Sequence, residues 1–494
     1  MRGCQNPLMQ RITPDRRWPL FDVAATRRLE RTVASRLPPH SLMESAGLAV
    51  ARLALAVAPH AGRIWIACGP GNNGGDGLEA AFHLRQWGKQ PHVSWLGEEA
   101  ACPEDALASL QSARKAGVPI SHAPPAQYDL AIDALLGIGA GRPPEGAMAQ
   151  WIARMNNRTG PVLAVDVPSG LDANTGCGIQ LRATHTLSLL TLKPGLFTSQ
   201  GRDACGQVWL DTLGATCAED DHSAATAWLG IDTRYDVRLH ASHKGSYGDV
   251  AVIGGAAGMA GAALLAAAAA LHGGAGRVFV GLLDAAAATV DGGRPELMLR
   301  AWDSLDLAAM TVACGCGGGE AVRAVLPKVL STARALVLDA DALNAIAADS
   351  QLQAQVLARS SRADRATVIT PHPLEAARLL GRTTAGIQSD RLGAASALSE
   401  RYRCVTVLKG SGTITVEPGR LPVINPTGNA KLATAGTGDV LAGMIAARMA
   451  QGAGAFDAAS EAVHAHGKTS GDWPANRALT ASQLARFAAT VQTR

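Results

Sequence analysis

Three acids and two adjacent asparagines stand where apolar runs of the first half end. CGPGNNGGDGL (68–78) packs Asn72, Asn73 and Asp76 among five glycines. Its Gly69-Pro-Gly71-Asn-Asn-Gly74 fits G-x-G-x-x-G, a spacing that brings backbone amides to a pyrophosphate at a helix start. Asp76 weighs against that use. A carboxylate at the start of the following helix competes with a bound anion or caps the helix itself. AIDALLGIGAG ends a second run in Asp133, and VDVPSGLDANTG ends a third in Asp166 and Ser169. The carboxyl ends of parallel strands open on one crevice. Asn72, Asn73, Asp76, Asp133, Asp166 and Ser169 are therefore expected to meet. Oxygen donors without His or Cys suit a hard cation, either an alkali ion or Mg²⁺. A strand-end Asp beside a bound ring can act as general base. The alternative for each acid is a capped turn.

The second half carries a different set. Gly436-Thr-Gly438-Asp439 opens an amphipathic segment. Free amides at such a helix start form an anion hole for a phosphoryl group in transfer. Asp439 then reads as the base that takes the acceptor's proton, or else as a plain N-cap. VLKGSGT (407–413) offers Lys409, Ser411 and Thr413 to nucleotide phosphate or ribose. His372 lies between two prolines at a run's end, and VLDADALN (337–344) holds Asp339, Asp341 and Asn344. These three would hold Mg²⁺ or line the site, or else are solvated loop acids.

Strands and helices must position these groups. RIWIAC, HVSWLG, YDLAIDALLG and GPVLAVDVPSG read as strands of a parallel sheet, with helical stretches between them. The polar stretch 214–243 breaks the rhythm. Alternation resumes with GDVAVIGG, GRVFVGL, TVACGCGGG, ALVLDADALN, ATVITPHP and CVTVLKGSGT. No repeat relates the halves. Two different α/β domains are expected, residues 1–225 and 226–494. A length of 494 residues agrees with more than one core.

A net charge of +4 without a basic block argues against a nucleic-acid partner. Nine irregularly spaced cysteines make a poor disulfide framework. Cys314-x-Cys316 lacks a second pair at zinc spacing, so both read as buried thiols in a reducing cytoplasm. The N-terminus has no apolar core of a secretory signal. The longest apolar tract, MAGAALLAAAAAL, falls short of the roughly 20 residues of a membrane span and reads as a buried helix.

Taken in order, LMESAG (42–47), CGPGNNGGDGL, the Asp133 strand, the loop 137–143 and DVPSGLDANTG resemble the NAD(P)H-hydrate epimerase domain over most of residues 20–212. The resemblance implies a Rossmann-like domain that interconverts the R and S hydrates of NADH and NADPH. It implies hydrate contacts from Asn72, Asn73, Gly74, Gly75 and Asp76. It implies further contacts from Gly137, Ile138, Gly139, Ala140, Gly141, Arg142, Pro143 and Asp166. K⁺ would be held by Asn73, Asp133 and Ser169, and Asp166 is the candidate catalytic residue.

HKGSYGDVAVIGGAAGMAGAALLAAAAALHGGAG (243–276), RPELMLR (294–300) and the Lys409 and Asp439 blocks resemble the ADP-dependent NAD(P)H-hydrate dehydratase, of ribokinase-like fold. That implies hydrate contacts from Ala262, Gly317, His372 and Asp439. It implies adenine-nucleotide contacts from Lys409, Gly410, Ser411, Gly412, Thr413 and Gly438, with Mg²⁺ accompanying ADP. The hydrate's hydroxyl would be phosphorylated and phosphate then eliminated, with Asp439 as catalytic base. One departure stands out: where the family usually has Gly-Pro-Gly-Leu-Gly, this chain has Gly315-Cys-Gly317-Gly-Gly319.

The joint expectation is a cytoplasmic, bifunctional repair enzyme for NADH and NADPH hydrates, a homo-oligomer without membrane partners. The alternatives are a ribokinase-like small-molecule kinase that leaves phosphate on its product, and a first half that is a non-catalytic module.

Overall fold

The computed structural model describes residues 9–139, 143–157, 160–178, 180–215, 224–231, 240–287 and 289–488. The chain forms two compact units, Met1–Thr13 with Trp18–Ala227 and Pro14–Arg17 with Trp228–Arg494. Both are α/β.

In the first unit eight strands among the described residues form one sheet. Its order is Gln10–Arg11, Gln207–Asp211, His185–Leu189, Val162–Val165, Leu130–Ala134, Arg63–Cys68, Gln90–Trp95 and Ile120–Ser121. All neighbours are parallel except the first pair. Leu130–Ala134 is buried at every position, as an apolar run covered on both faces must be. After Arg63–Cys68 the chain builds the sheet outward in one direction. From Leu130–Ala134 it builds in the other. Such a reversal leaves a crevice beyond the carboxyl ends of those two strands. Asn72 follows the first of them and Asp133 ends the second.

The glycine-rich stretch corrects the sequence expectation. It is not a loop before a helix but the helix's own first turns. The helix spans Asn72–Gln86 with Gly71 as N-cap, so Asp76 lies more than a turn inside it and caps nothing. The glycines serve close packing. A Cβ on Gly74 would lie 2.0 Å from the Gly69 carbonyl oxygen, and one on Gly77 would lie 2.6 Å from the Ala134 Cβ. Without side chains the helix lies directly on the two strands of the crevice.

In the second unit the sheet order includes Met298–Leu299, Arg277–Leu282, Asp249–Gly254, Thr311–Cys314, Ala335–Leu338, Ala366–Ile369 and Val405–Leu408, all parallel. Ile414–Val416 and Val423–Ile424 extend it antiparallel. The order reverses between Asp249–Gly254 and Thr311–Cys314, again leaving a crevice at strand ends. The alanine-rich tract is the helix Ala260–His272, buried along Ala266–Ala270. It packs on Thr437–Ala450 so closely that a Cβ on Gly443 would lie 2.0 Å from the Ala266 carbonyl oxygen. Among the described residues no helix is long and apolar enough to cross a membrane.

Two candidate active sites

Asp166 leaves the strand Val162–Val165 with φ +67°, a left-handed backbone rare outside glycine. Its amide donates to the Leu187 carbonyl at 2.7 Å. Its carboxylate is paired with the Lys193 ammonium. Lys193 is wholly buried, and it also donates to the carbonyls of Leu189 (2.8 Å) and Thr191 (3.0 Å). All three ammonium protons therefore have acceptors inside the protein. Sequence reasoning missed Lys193. Its signal was isolation, since it is the one Lys, Arg, Asp or Glu between Arg182 and Arg202.

Two more acids feel Asp166. Burial, then the charges of Asp166, Glu30 and Glu79, raise the Asp76 carboxyl well above its ordinary range. Glu30, on the helix Val23–Ala34, is raised by burial and then by Asp166. The crevice thus holds a carboxylate paired with an ammonium beside two carboxyls raised above their ordinary range. Acid and base roles are separated by such differences in environment.

Asp133 is wholly buried. It accepts from the Ser169 hydroxyl (2.7 Å), the Ser169 amide (2.8 Å) and the Leu135 amide (3.3 Å). Burial raises it to about 6, against the pull of these bonds, and none of these partners carries positive charge. Ser169 Oγ also accepts from the Leu136 amide at 2.9 Å. Asn73 approaches the same turn, with Oδ1 3.2 Å from where a Cβ would sit on Gly137. Its buried Nδ2 has no hydrogen-bond partner. An uncompensated buried carboxylate among hydroxyl, amide and carbonyl groups is a donor set that fits an alkali cation. Gly137, Ile138, Gly139 and Pro143 lie on this turn or just beyond it, and Arg27 Nη2 comes within 3.6 Å of a Cβ position on Gly139. Ala140, Gly141 and Arg142 lie outside the described residues. Gly74 and Gly75 turn their Cα atoms toward Gly69 and Met43, so only their backbone polar groups are left for a ligand.

In the second unit Gly436, at φ +89°, is the N-cap of Thr437–Ala450. Asp439 is the third helical residue and not the cap. It is raised to about 6 by burial and then by the Asp339 charge. The Asp339 carboxylate accepts from Lys409 Nζ and from Thr370 Oγ1, both at 2.6 Å. Glu375 lies 3.9 Å from the same ammonium and is raised by burial to about 7. A Cβ on Gly438 would be 3.4 Å from Lys409 Nζ. Lys409, Gly438, Asp339 and Asp439 therefore converge, although the Lys409 ammonium is turned to Asp339. The rest of its loop is compact, with Thr413 Oγ1 donating to the Gly410 carbonyl at 3.0 Å and the buried Arg391 filling the space beside Gly410. Ser411 and Gly412 complete that turn, Gly412 at φ +62°.

The side chains of VLDADALN take separate partners. Asp341 accepts from the Gly319 amide at 2.8 Å, and Asn344 accepts from Arg378 at 2.6 Å. The helix Asp341–Ala348 starts within the motif and turns these side chains apart. Asp339 stands at the site, and the Asp341 charge also acts to raise Asp439 and Glu375. His372 caps the helix Pro373–Leu380, its Nδ1 accepting from the amides of Leu374 (3.0 Å) and Glu375 (3.4 Å). Glu375 returns the bond from the His372 amide at 2.7 Å. Burial and then Lys409 lower the His372 pKa, and Nε2 lies 3.2 Å from Glu375 Oε1, which leaves the ring face for a ligand. Gly317 and Ala262 touch: a Cβ on Gly317 would lie 2.8 Å from that of Ala262. The Gly317 carbonyl accepts from Ala256 at 2.7 Å, which ties this loop to the Asp249–Gly254 strand end. Glu375 and Thr370 were also missed from sequence. Glu375 had a signal in the H-x-x-E spacing of a reciprocal cap.

Comparison with known proteins agrees with this architecture. Residues 39–195 match the family model described as YjeF-related protein N-terminus, and residues 250–492 match NAD(P)H-hydrate dehydratase. The bifunctional NAD(P)H-hydrate repair enzyme Nnr of Escherichia coli is 38% identical over 472 residues, covering 89% of this chain and 87% of that protein. The enzyme of the same name from Coxiella burnetii is 36% identical, covering 90% and 93%. A solved structure of the ADP/ATP-dependent NAD(P)H-hydrate dehydratase from Bacillus subtilis, co-crystallized with ATP/Mg²⁺, is 29% identical. It covers 52% of this chain and 92% of that one, with a TM-score of 0.43. With relatives aligned across both units, the chain belongs to the bifunctional NAD(P)H-hydrate repair enzymes.

Proposed function

We propose that the first unit interconverts the R and S hydrates of NADH and NADPH, and that the second converts the S form to the reduced nucleotide with ADP. In the first site Asp166, as carboxylate, takes the proton of the ring hydroxyl. A protonated carboxyl, Asp76 by its environment, delivers a proton to the ring nitrogen. The carbon–nitrogen bond opens to a carbonyl and recloses on either face, so both hands form. Lys193 pairs with the Asp166 carboxylate and holds it in place. Asn73, Asp133 and Ser169 would hold K⁺, which supplies the charge that the buried Asp133 lacks.

In the second site Asp439 takes the hydroxyl proton of the S hydrate. The oxygen attacks the terminal phosphoryl group of ADP and AMP leaves. The amides of Thr437 and Gly438 face the phosphoryl group in transfer. Phosphate then departs from the ring, and loss of the adjacent ring proton restores the reduced nicotinamide. Lys409 to Thr413 bind the nucleotide, and Ala262, Gly317 and the exposed face of His372 bind the hydrate. Bound Mg²⁺ supplies charge neutralisation at the nucleotide phosphates, with Asp339 the carboxylate at hand to hold it. A reducing cytoplasm suits the seven described cysteines, which are all free.

The observation that carries this reading is the convergence of Asp439, Asp339 and Lys409 at a glycine-capped helix start. It stands in a chain of which 89% aligns with a hydrate-repair enzyme. The kinase alternative is not favoured, since those relatives match through both units. The test is incubation with mixed hydrates, ADP and Mg²⁺, with both epimers followed by chromatography. Loss of both, with AMP, phosphate and reduced nicotinamide appearing, is expected. A phosphorylated product that persists overturns the reading.

A further inference from the structure

The Gly315-Cys316-Gly317 turn places a sulfur beside the second site. Thr311–Cys314 and Ala335–Leu338 are parallel neighbours, so the residues just beyond them leave the sheet side by side. Cys316 Sγ thereby lies 4.0 Å from Asp339 Oδ2. Asp439 arrives from the helix start, and the sulfur and one oxygen of each carboxylate lie within 4.8 Å of one another. Cys316 is wholly buried, Asp339 is 2% exposed, and Asp439 is half-buried on the open side.

We propose that Cys316, Asp339 and Asp439 form a site for a thiophilic divalent cation such as Zn²⁺, and that filling it shuts the dehydratase centre by engaging its base.

The division of labour at Asp339 favours this. Oδ1 carries the bonds from Lys409 and Thr370, while Oδ2 faces the sulfur. A thiolate and two carboxylates would make three negative charges, of which the Lys409 ammonium beside Asp339 offsets one, and a divalent cation adds two positive charges to this set. Binding forms a metal–sulfur bond and releases the thiol proton to solvent. Zinc bond lengths of about 2.3 Å to sulfur and about 2.1 Å to oxygen put tetrahedral ligands about 3.5 Å apart. Side-chain torsions must draw the outermost pair in by about 1 Å. Mg²⁺ does not take thiolate, so the sulfur favours a thiophilic ion in competition with Mg²⁺ for Asp339.

The test titrates the full-length protein with Co²⁺ and follows thiolate-to-cobalt charge-transfer absorption. It then assays S-hydrate dehydration under Zn²⁺ at saturating ADP and Mg²⁺. In wild type one equivalent of cobalt is expected to generate the band, and Zn²⁺ to stop dehydration while R and S forms still interconvert. Cys316→Ala is expected to lose that band. Its zinc sensitivity, measured against its own metal-free rate, should fall about 10-fold or more, the scale of weakening seen when a metal site is damaged. Cys316→Ser keeps the side-chain volume and serves as the second variant, with the same outcome expected. A wild-type spectrum no different from Cys316→Ala and Cys316→Ser, or equal zinc sensitivity in all three, overturns the proposal. The inhibition arm rests on the dehydratase reading, but the cobalt band does not. A band without dehydratase activity sinks only the function, and an active enzyme without the band sinks only the site.

Discussion

Asp166 and Lys193 form the buried ion pair of the first site, and its two members invite different substitutions. Asp166→Asn removes the base and leaves the Lys193 charge buried. Epimerisation is expected to fall about 10²–10⁴-fold, the range for loss of a general base, measured as approach to equilibrium from pure R hydrate. Lys193→Met strips the ammonium and leaves Asp166 and the carbonyls of Leu189 and Thr191 without it. Breaking a buried pair in this way costs about 3–5 kcal/mol, so denaturant midpoints should fall along with epimerase activity. In the second site the sign of the pH dependence follows from Asp439. A base must be unprotonated to act, and burial holds this carboxyl at about 6. Dehydration is expected to fall as pH drops through about 6 and to level above it. A rate that is flat from pH 5 to 8, a window spanning that value, would assign the base elsewhere.

Helices and strand ends decide which of these groups can meet. The sequence showed an alternation of strands and helices, and both parallel sheets follow from it. It did not show that GNNGGDG is helix. Its glycines lower helix propensity, and a local reading makes them a loop. Contacts with Gly69, Met43 and Ala134 decide otherwise, because only a helix lacking side chains there can lie on the strand ends. Gly77→Ala puts a methyl 2.6 Å from the Ala134 Cβ and is expected to cost about 1–3 kcal/mol, as overpacking does. It should also lower epimerase activity more than dehydratase activity in the same preparation. The side chains of VLDADALN take separate partners for a comparable reason. Its acids straddle the start of a helix, and the turn sends Asp341 and Asn344 to Gly319 and Arg378.

Two chemistries in one chain give a test at the scale of the whole molecule. Asp166→Asn should consume the S share of a mixed hydrate with ADP at the wild-type rate and leave R behind. Asp439→Asn should interconvert the two forms and consume neither. If Asp166→Asn clears R as fast as wild type, the first unit is not the epimerase. The sequence by itself determined the two α/β units, the strand ends that carry Asp133, Asp166 and Asp339, and the resemblance that points to hydrate repair. These follow from hydrophobic period and local motif, which are properties of neighbours in the chain. The tertiary structure alone decided the pairing of Lys193 with Asp166, the turning of Lys409 to Asp339, and the placing of Cys316 against two carboxylates. Lys193 and Asp166 are 27 residues apart, and Lys409 and Asp339 are 70 apart. Strand order brings such groups together, and burial then makes ion pairing the way to keep their charges. No local pattern encodes a partner set by which strands lie side by side.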